Sequence, residues 1–150
     1  MTVVEAKQRQ SITSRRVGYI VAILVNGAMF GLINVTPGWR AVPFLTSETP
    51  QVVGLVNASI VASAVVNAIY LFNDARWLRA CGDLVATSIG LVALIRVWQV
   101  FPFDYGATSF DWVLLTRIVL VVGIAGSIIA IIVALATLAL RAREAASRTT

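Results

Sequence analysis

Long stretches without a charged residue dominate the chain and predict its architecture. Three of them, at 17–39, 49–73 and 118–140, contain 23, 25 and 23 residues. An α-helix needs about 20 residues to cross roughly 30 Å of hydrocarbon. Each stretch is therefore long enough to span a membrane.

A fourth stretch, 84–103, has 20 residues and includes one charge, Arg96. Arg96 lies five residues before Phe101, about 7.5 Å along a helix, so its long side chain can reach the membrane surface. We predict that this stretch is also a span.

The pattern thus predicts an all-α fold, an integral membrane bundle of four transmembrane helices. A barrel is not indicated, because the stretches lack strict alternation. The expected spans are about 17–36, 52–73, 83–101 and 113–140, within a domain over 17–140. Polar tails at 1–16 and 141–150 flank it.

Positive charges predict the orientation. If the tails and the 74–82 loop share one side, that side carries nine Lys and Arg residues, against Arg40 alone in the opposite loops. Since cytoplasmic loops are rich in Lys and Arg, both termini of this multi-pass protein should be cytoplasmic. Lys7 is the only lysine among the basic residues, and alanine and valine are abundant; we interpret this composition as that of a GC-rich genome and expect a bacterial plasma membrane. The nine are Lys7, Arg9, Arg15, Arg16, Arg76, Arg79, Arg141, Arg143 and Arg148.

Composition narrows the function. Hydrophobic residues make up 59% and charged residues 13%, far from the roughly 45–50% and 25% of soluble domains. The net charge of +5 is divided among the edges of apolar runs, which favours membrane lipids over nucleic acid as the partner. The absence of histidine excludes imidazole ligation and His-based catalysis, and no cofactor or metal motif occurs.

Small and hydroxyl residues mark helix faces suited to close packing. We expect these faces to meet other helices of the bundle, or alternatively a partner chain or a polar pathway. They comprise Gly27 and Gly31 in the first span, Ser59 and Ser63 in the second, and Gly123 and Ser127 in the fourth.

Several polar residues of the spans are expected at a similar depth, near the outer surface of the membrane. Two arginines there need acceptors, since each costs up to about 2.5–3.5 kcal/mol at the bilayer centre. One hypothesis pairs them with loop carboxylates; the other makes them a pocket for an anionic lipid or solute. The candidate polar cluster is Arg96, Arg117, Asn34, Asn57, Gln99, Asp104 and Asp111.

The outer loop repeats an aromatic-Asp-aromatic unit around Asp104 and Asp111. Paired carboxylates can serve acid–base catalysis, but no nucleophile or metal cluster accompanies them. We therefore expect no enzymatic activity, and interpret the rings as an interfacial aromatic belt.

The segments R-R-V-G-Y-I-V-A-I-L-V-N at 15–26, P-G-W at 37–39, N-D-A-R-W-L-R-A-C-G-D-L-V at 73–85 and R-V-W-Q-V-F-P-F-D at 96–104 resemble small four-span membrane proteins of high-GC Gram-positive bacteria. The resemblance covers roughly residues 15–140. It implies the four-span topology and no activity or site.

Two functions remain open. The first is a non-enzymatic membrane protein that packs against itself or other membrane helices, as a scaffold, accessory subunit or homo-oligomer. The second is a small transporter or channel that binds an anionic solute or lipid at the outer cluster.

Overall fold

The fold is all-helical, as predicted. The computed structural model describes residues 3–147, with side chains from residue 12 onward. Each of its four long helices is long and apolar enough to cross a membrane. They are α1 (Val3–Asn34), α2 (Pro50–Phe72), α3 (Arg76–Val100) and α4 (Trp112–Ser147), and a short 3₁₀ helix (Trp39–Ala41) follows α1.

Three helices extend well beyond their expected spans. α1 already begins at Val3 and α4 continues to Ser147, both within regions expected to be polar tails, and α3 begins at Arg76, seven residues before the predicted span. A charge marks where lipid should end, whereas the backbone remains helical as long as its hydrogen bonds are made. Charged residues therefore occupy the ends of continuous helices.

The helices pack in chain order. α1 contacts α2, α2 contacts α3, and α3 contacts α4, while within residues 3–147 α1 and α4 do not meet. The expected bundle is consequently an open row, with α1 and α4 at its two edges.

Few side chains are buried inside this row. Among the described side chains of the helices, the buried apolar ones are Val52, Val66, Tyr70, Ala93 and Leu120, whereas large side chains such as those of Leu24 and Val122 are each 65% exposed. So much exposed apolar surface is unfavourable in water but compatible with lipid as the surrounding solvent.

The two long loops are joined to each other. Thr46 N donates to the Pro102 carbonyl at 3.1 Å and Asp104 N donates to the Phe44 carbonyl at 2.8 Å, forming a short antiparallel bridge. We call this the loop end of the row. The opposite end, at the α2–α3 turn (residues 73–75), is the turn end.

Candidate functional site

The predicted outer cluster separates into contacts between neighbouring helices. Asn34 on α1 and Asn57 on α2 form a reciprocal pair: each amide nitrogen donates to the other's oxygen, at 2.9 and 2.7 Å. This pair joins α1 to α2, and each amide acts as both donor and acceptor toward the other.

The two arginines lie on different sides of α3. Arg96 donates to Gln51 Oε1 on α2 at 3.3 Å. The guanidinium of Arg117, on α4, lies 5.3 Å from the ring centre of Trp98 and 4.9 Å from that of Phe101, within cation–π range. Because Arg96 and Trp98 are two residues apart on a helix, they face opposite directions. The arginines thus form no common pocket.

The remaining members of the cluster have local roles or none. Asp104 Oδ1 accepts from Gly106 N at 3.0 Å within its own turn, and Asp111 Oδ1 caps α4 by accepting from Leu114 N at 2.8 Å. In residues 12–147 neither carboxylate forms an ion pair with Arg96 or Arg117, so the expected pairing does not occur. Gln99 is exposed on α3.

The small residues of α1 have open space beside them. A Cβ atom added at Gly27 or Gly31 would meet nothing within 4 Å, whereas one at Gly123 on α4 would lie 3.3 Å from Leu94 Cδ1 on α3. Gly123 therefore permits close packing inside the chain. Gly27 and Gly31 leave a smooth strip of α1 open.

The predicted serines differ in their hydrogen-bond partners. Ser63 on α2 accepts from Asn26 Nδ2 on α1 at 3.1 Å, which links the two helices near mid-span. Ser59 and Ser127 instead donate to carbonyls of their own helices, at 2.8 Å each. Asn26 was not among the predicted site residues, although an amide inside an apolar span is itself a signal for such a contact.

A cavity of about 1170 Å³ lies at the loop end, between the two joined loops and α4. Phe44 and Tyr105 stack in its wall with ring centres 5.5 Å apart, and the Tyr105 hydroxyl is bonded to Thr116 Oγ1 at 2.7 Å. Its wall is mostly apolar, with Asp104 among the lining residues. The predicted aromatic belt thus includes rings that surround a concave space.

A charged network at the turn end was not predicted. The Asp74 carboxylate accepts a hydrogen bond from Arg15 Nε at 2.8 Å and lies 3.1 Å from Arg79 Nε. The Tyr19 hydroxyl also donates to this carboxylate, at 2.7 Å. The Tyr19 hydrogen bond, together with the two guanidinium groups, lowers the pKa of the Asp74 carboxyl below its ordinary value. The sequence signal for this network was an aspartate in a predicted turn, close to many basic residues.

Tyr70 extends this network across α3. Its side chain is buried, with its hydroxyl 2.9 Å from Asp83 Oδ1 and 2.8 Å from the Arg79 carbonyl. Gly82 makes room for it: a Cβ there would clash with the hydroxyl and lie 3.0 Å from Tyr70 Cζ and 2.9 Å from Val66 Cγ1. The absence of a side chain at residue 82 is what lets α2 and α3 approach.

A second cavity, of about 690 Å³, opens beside this network between α2, α3 and α4. We call it the turn-end groove. Its mouth is polar and basic, with arginines from α3 and α4, while residues further along the helices are small or apolar. Those that define it are Arg76, Arg79, Asp83, Arg141, Val66, Asn67, Ala86, Ala130 and Ala134.

Comparisons with models of protein families, with curated proteins and with solved structures find no match to this chain. Within the described part of the chain, no three His, Cys, Asp or Glu side chains group as metal ligands would. The helix row and its contacts are accordingly the basis for a functional proposal.

Proposed function

We propose that this chain is a non-enzymatic, multi-pass protein of the bacterial plasma membrane that acts by helix packing and assembles with a second copy of itself. The open row carries the proposal, because its edge helix α1 packs on only one long helix, α2, within residues 3–147.

The open strip of α1 suits a symmetric contact. Gly27 and Gly31 have the G-x-x-x-G spacing that lets two transmembrane backbones approach closely. Copies inserted in the same direction present their α1 helices in parallel, the arrangement that this motif favours in membranes. A two-fold contact of this kind closes on itself and gives a dimer.

Catalysis finds no support in the loop carboxylates, since one stabilises its own turn and the other caps a helix. The transporter or channel hypothesis also has less support than self-assembly. Its candidate cluster is distributed over three helix pairs rather than one binding site.

Substitution of Gly31 tests the proposal. A Cβ atom added at residue 31 meets nothing within 4 Å, so we expect the monomer with Gly31→Leu to keep its fold while the α1–α1 contact is lost. In gentle detergent the native protein should elute and crosslink as a dimer and Gly31→Leu as a monomer, with similar thermal midpoints for the separated protomers.

Gly18→Leu is the matched control, because Gly18 is equally open on α1 but faces another direction on the helical wheel. It should leave the dimer intact. A native protein that is monomeric in both bilayers and detergent would refute the proposal, as would a dimer that Gly31→Leu does not weaken.

A further inference from the structure

The turn-end groove combines a basic mouth with an interior of small and apolar side chains, among which Ser63 and Thr87 carry hydroxyl groups. We propose that it binds an anionic membrane lipid, with the phosphate at the arginines of the mouth and an acyl chain along the wall. This site is distinct from the loop-end cluster and does not depend on self-assembly, because it lies between α2, α3 and α4.

The charges at the mouth favour an anion. Three guanidinium groups line the groove, from Arg76, Arg79 and Arg141, against one carboxylate, from Asp83. Arg79 is also paired with Asp74. In residues 12–147, Arg76 and Arg141 form no ion pair, so both remain available to a phosphate, which guanidinium forks bind through two hydrogen bonds.

The start of α3 adds to this preference. Ala75 occupies its N-cap without a side-chain hydrogen bond, and the first turn holds no acidic residue. The first amide groups of a helix carry partial positive charge, and basic residues beside them are unfavourable. A bound phosphate would offset both the unsatisfied amides and the repulsion.

The interior of the groove favours a lipid over a soluble anion. Along α3 the lining runs from Arg76 to Thr87, about 16 Å of helix. Further from the mouth the wall includes Ala86, Ala130 and Ala134, whose small side chains leave space along the helices. An inorganic ion would use the mouth alone, whereas an acyl chain would also fill this space.

Lipid retention measured by native mass spectrometry tests the site. Purified protein is incubated with phosphatidylglycerol, phosphatidylcholine or inorganic phosphate. We expect selective retention of phosphatidylglycerol. Arg141→Gln should reduce that retention about fivefold, the contribution of one arginine near an anionic surface. Arg143→Gln, which removes the same charge from the same helix outside the groove, should leave it unchanged.

A second variant tests the interior. Ala134→Leu keeps every arginine but occupies the acyl path, and should reduce phosphatidylglycerol retention without changing the thermal midpoint of the lipid-free protein. Equal loss in Arg141→Gln and Arg143→Gln would overturn the site as a nonspecific charge effect. No preference for phosphatidylglycerol over phosphatidylcholine, or retention of inorganic phosphate equal to that of phosphatidylglycerol, would also overturn it.

Discussion

Gly82 on α3 allows Tyr70 of α2 to approach closely, because its hydrogen atom takes the place of a side chain. The Tyr70 hydroxyl lies where a Cβ at residue 82 would be, and bonds to groups on both sides of that glycine along α3. The contact is therefore both steric and polar. The close approach that leaves no room for a methyl group at residue 82 also brings the buried Tyr70 hydroxyl to its hydrogen-bond acceptors.

Gly82→Ala should consequently destabilise the protein by about 1–3 kcal/mol, the usual effect of overpacking a close contact. Chemical or thermal unfolding in detergent would measure it. Gly90→Ala is the matched control on α3, where an added Cβ meets nothing within 4 Å, and should be neutral or stabilising by up to about 1 kcal/mol. Equal effects of the two substitutions would contradict the contact.

Between elements, Asp74 ties the α2–α3 turn to α1. Its carboxylate is bonded to Arg15 and Tyr19 on α1 and lies beside Arg79 on α3. Because its pKa is lower in the folded protein, its ionised form stabilises the fold at neutral pH. That contribution is lost as the pH falls below about 4, its ordinary pKa.

Asp74→Asn should therefore lower the thermal midpoint by a few degrees at pH 7. The difference from the native protein should shrink as the pH is lowered from about 4 toward 3. Melting curves of both proteins across this range would measure it. A difference that stays constant with pH would show that the charge of Asp74 has no role in the junction.

The sequence predicts how far along a helix each polar residue lies better than it predicts which neighbouring helix that residue faces. Asn34, Asn57, Arg96 and Arg117 all lie near the loop end, as their spacing from the span boundaries indicates. Their partners depend on how each helix is rotated and on which helices are neighbours, and apolar spans without a marked polar face contain little of that information. The predicted cluster consequently became separate contacts.

The predicted start of α3 differs from the observed one for a related reason. The pattern predicts a loop at 74–82 and a span from residue 83, whereas α3 begins at Arg76. Within α3, an ion pair with Asp74 accommodates Arg79, and a hydrogen bond with the Tyr70 hydroxyl accommodates Asp83. These partners come from other segments, so local sequence does not show them.

For the whole molecule, the orientation can be tested directly. Lys and Arg predict that the turn end faces the cytoplasm; of the nine counted, Lys7, Arg9 and Arg148 lie outside the residues whose side chains are described. In a Cys81-free variant, a membrane-impermeant thiol reagent applied to intact cells should label Thr108→Cys and not Ser147→Cys.

Permeabilised cells provide the control, since both thiols should then react. Labelling of residue 147 alone in intact cells would reverse the orientation. It would also place the turn-end groove in the outer leaflet. Lipid retention by the purified protein does not depend on orientation and would be unchanged.

Because each helix of the row packs on the one before it, the structure can form in the order of synthesis. The contacts between α1 and α2 can form before α3 is translated, and the only helix on which α4 packs is α3. No early helix has to wait in the lipid for a distant late partner, and contacts that are local in sequence form quickly. A chain stopped after α2 should therefore already hold its Asn34–Asn57 pair.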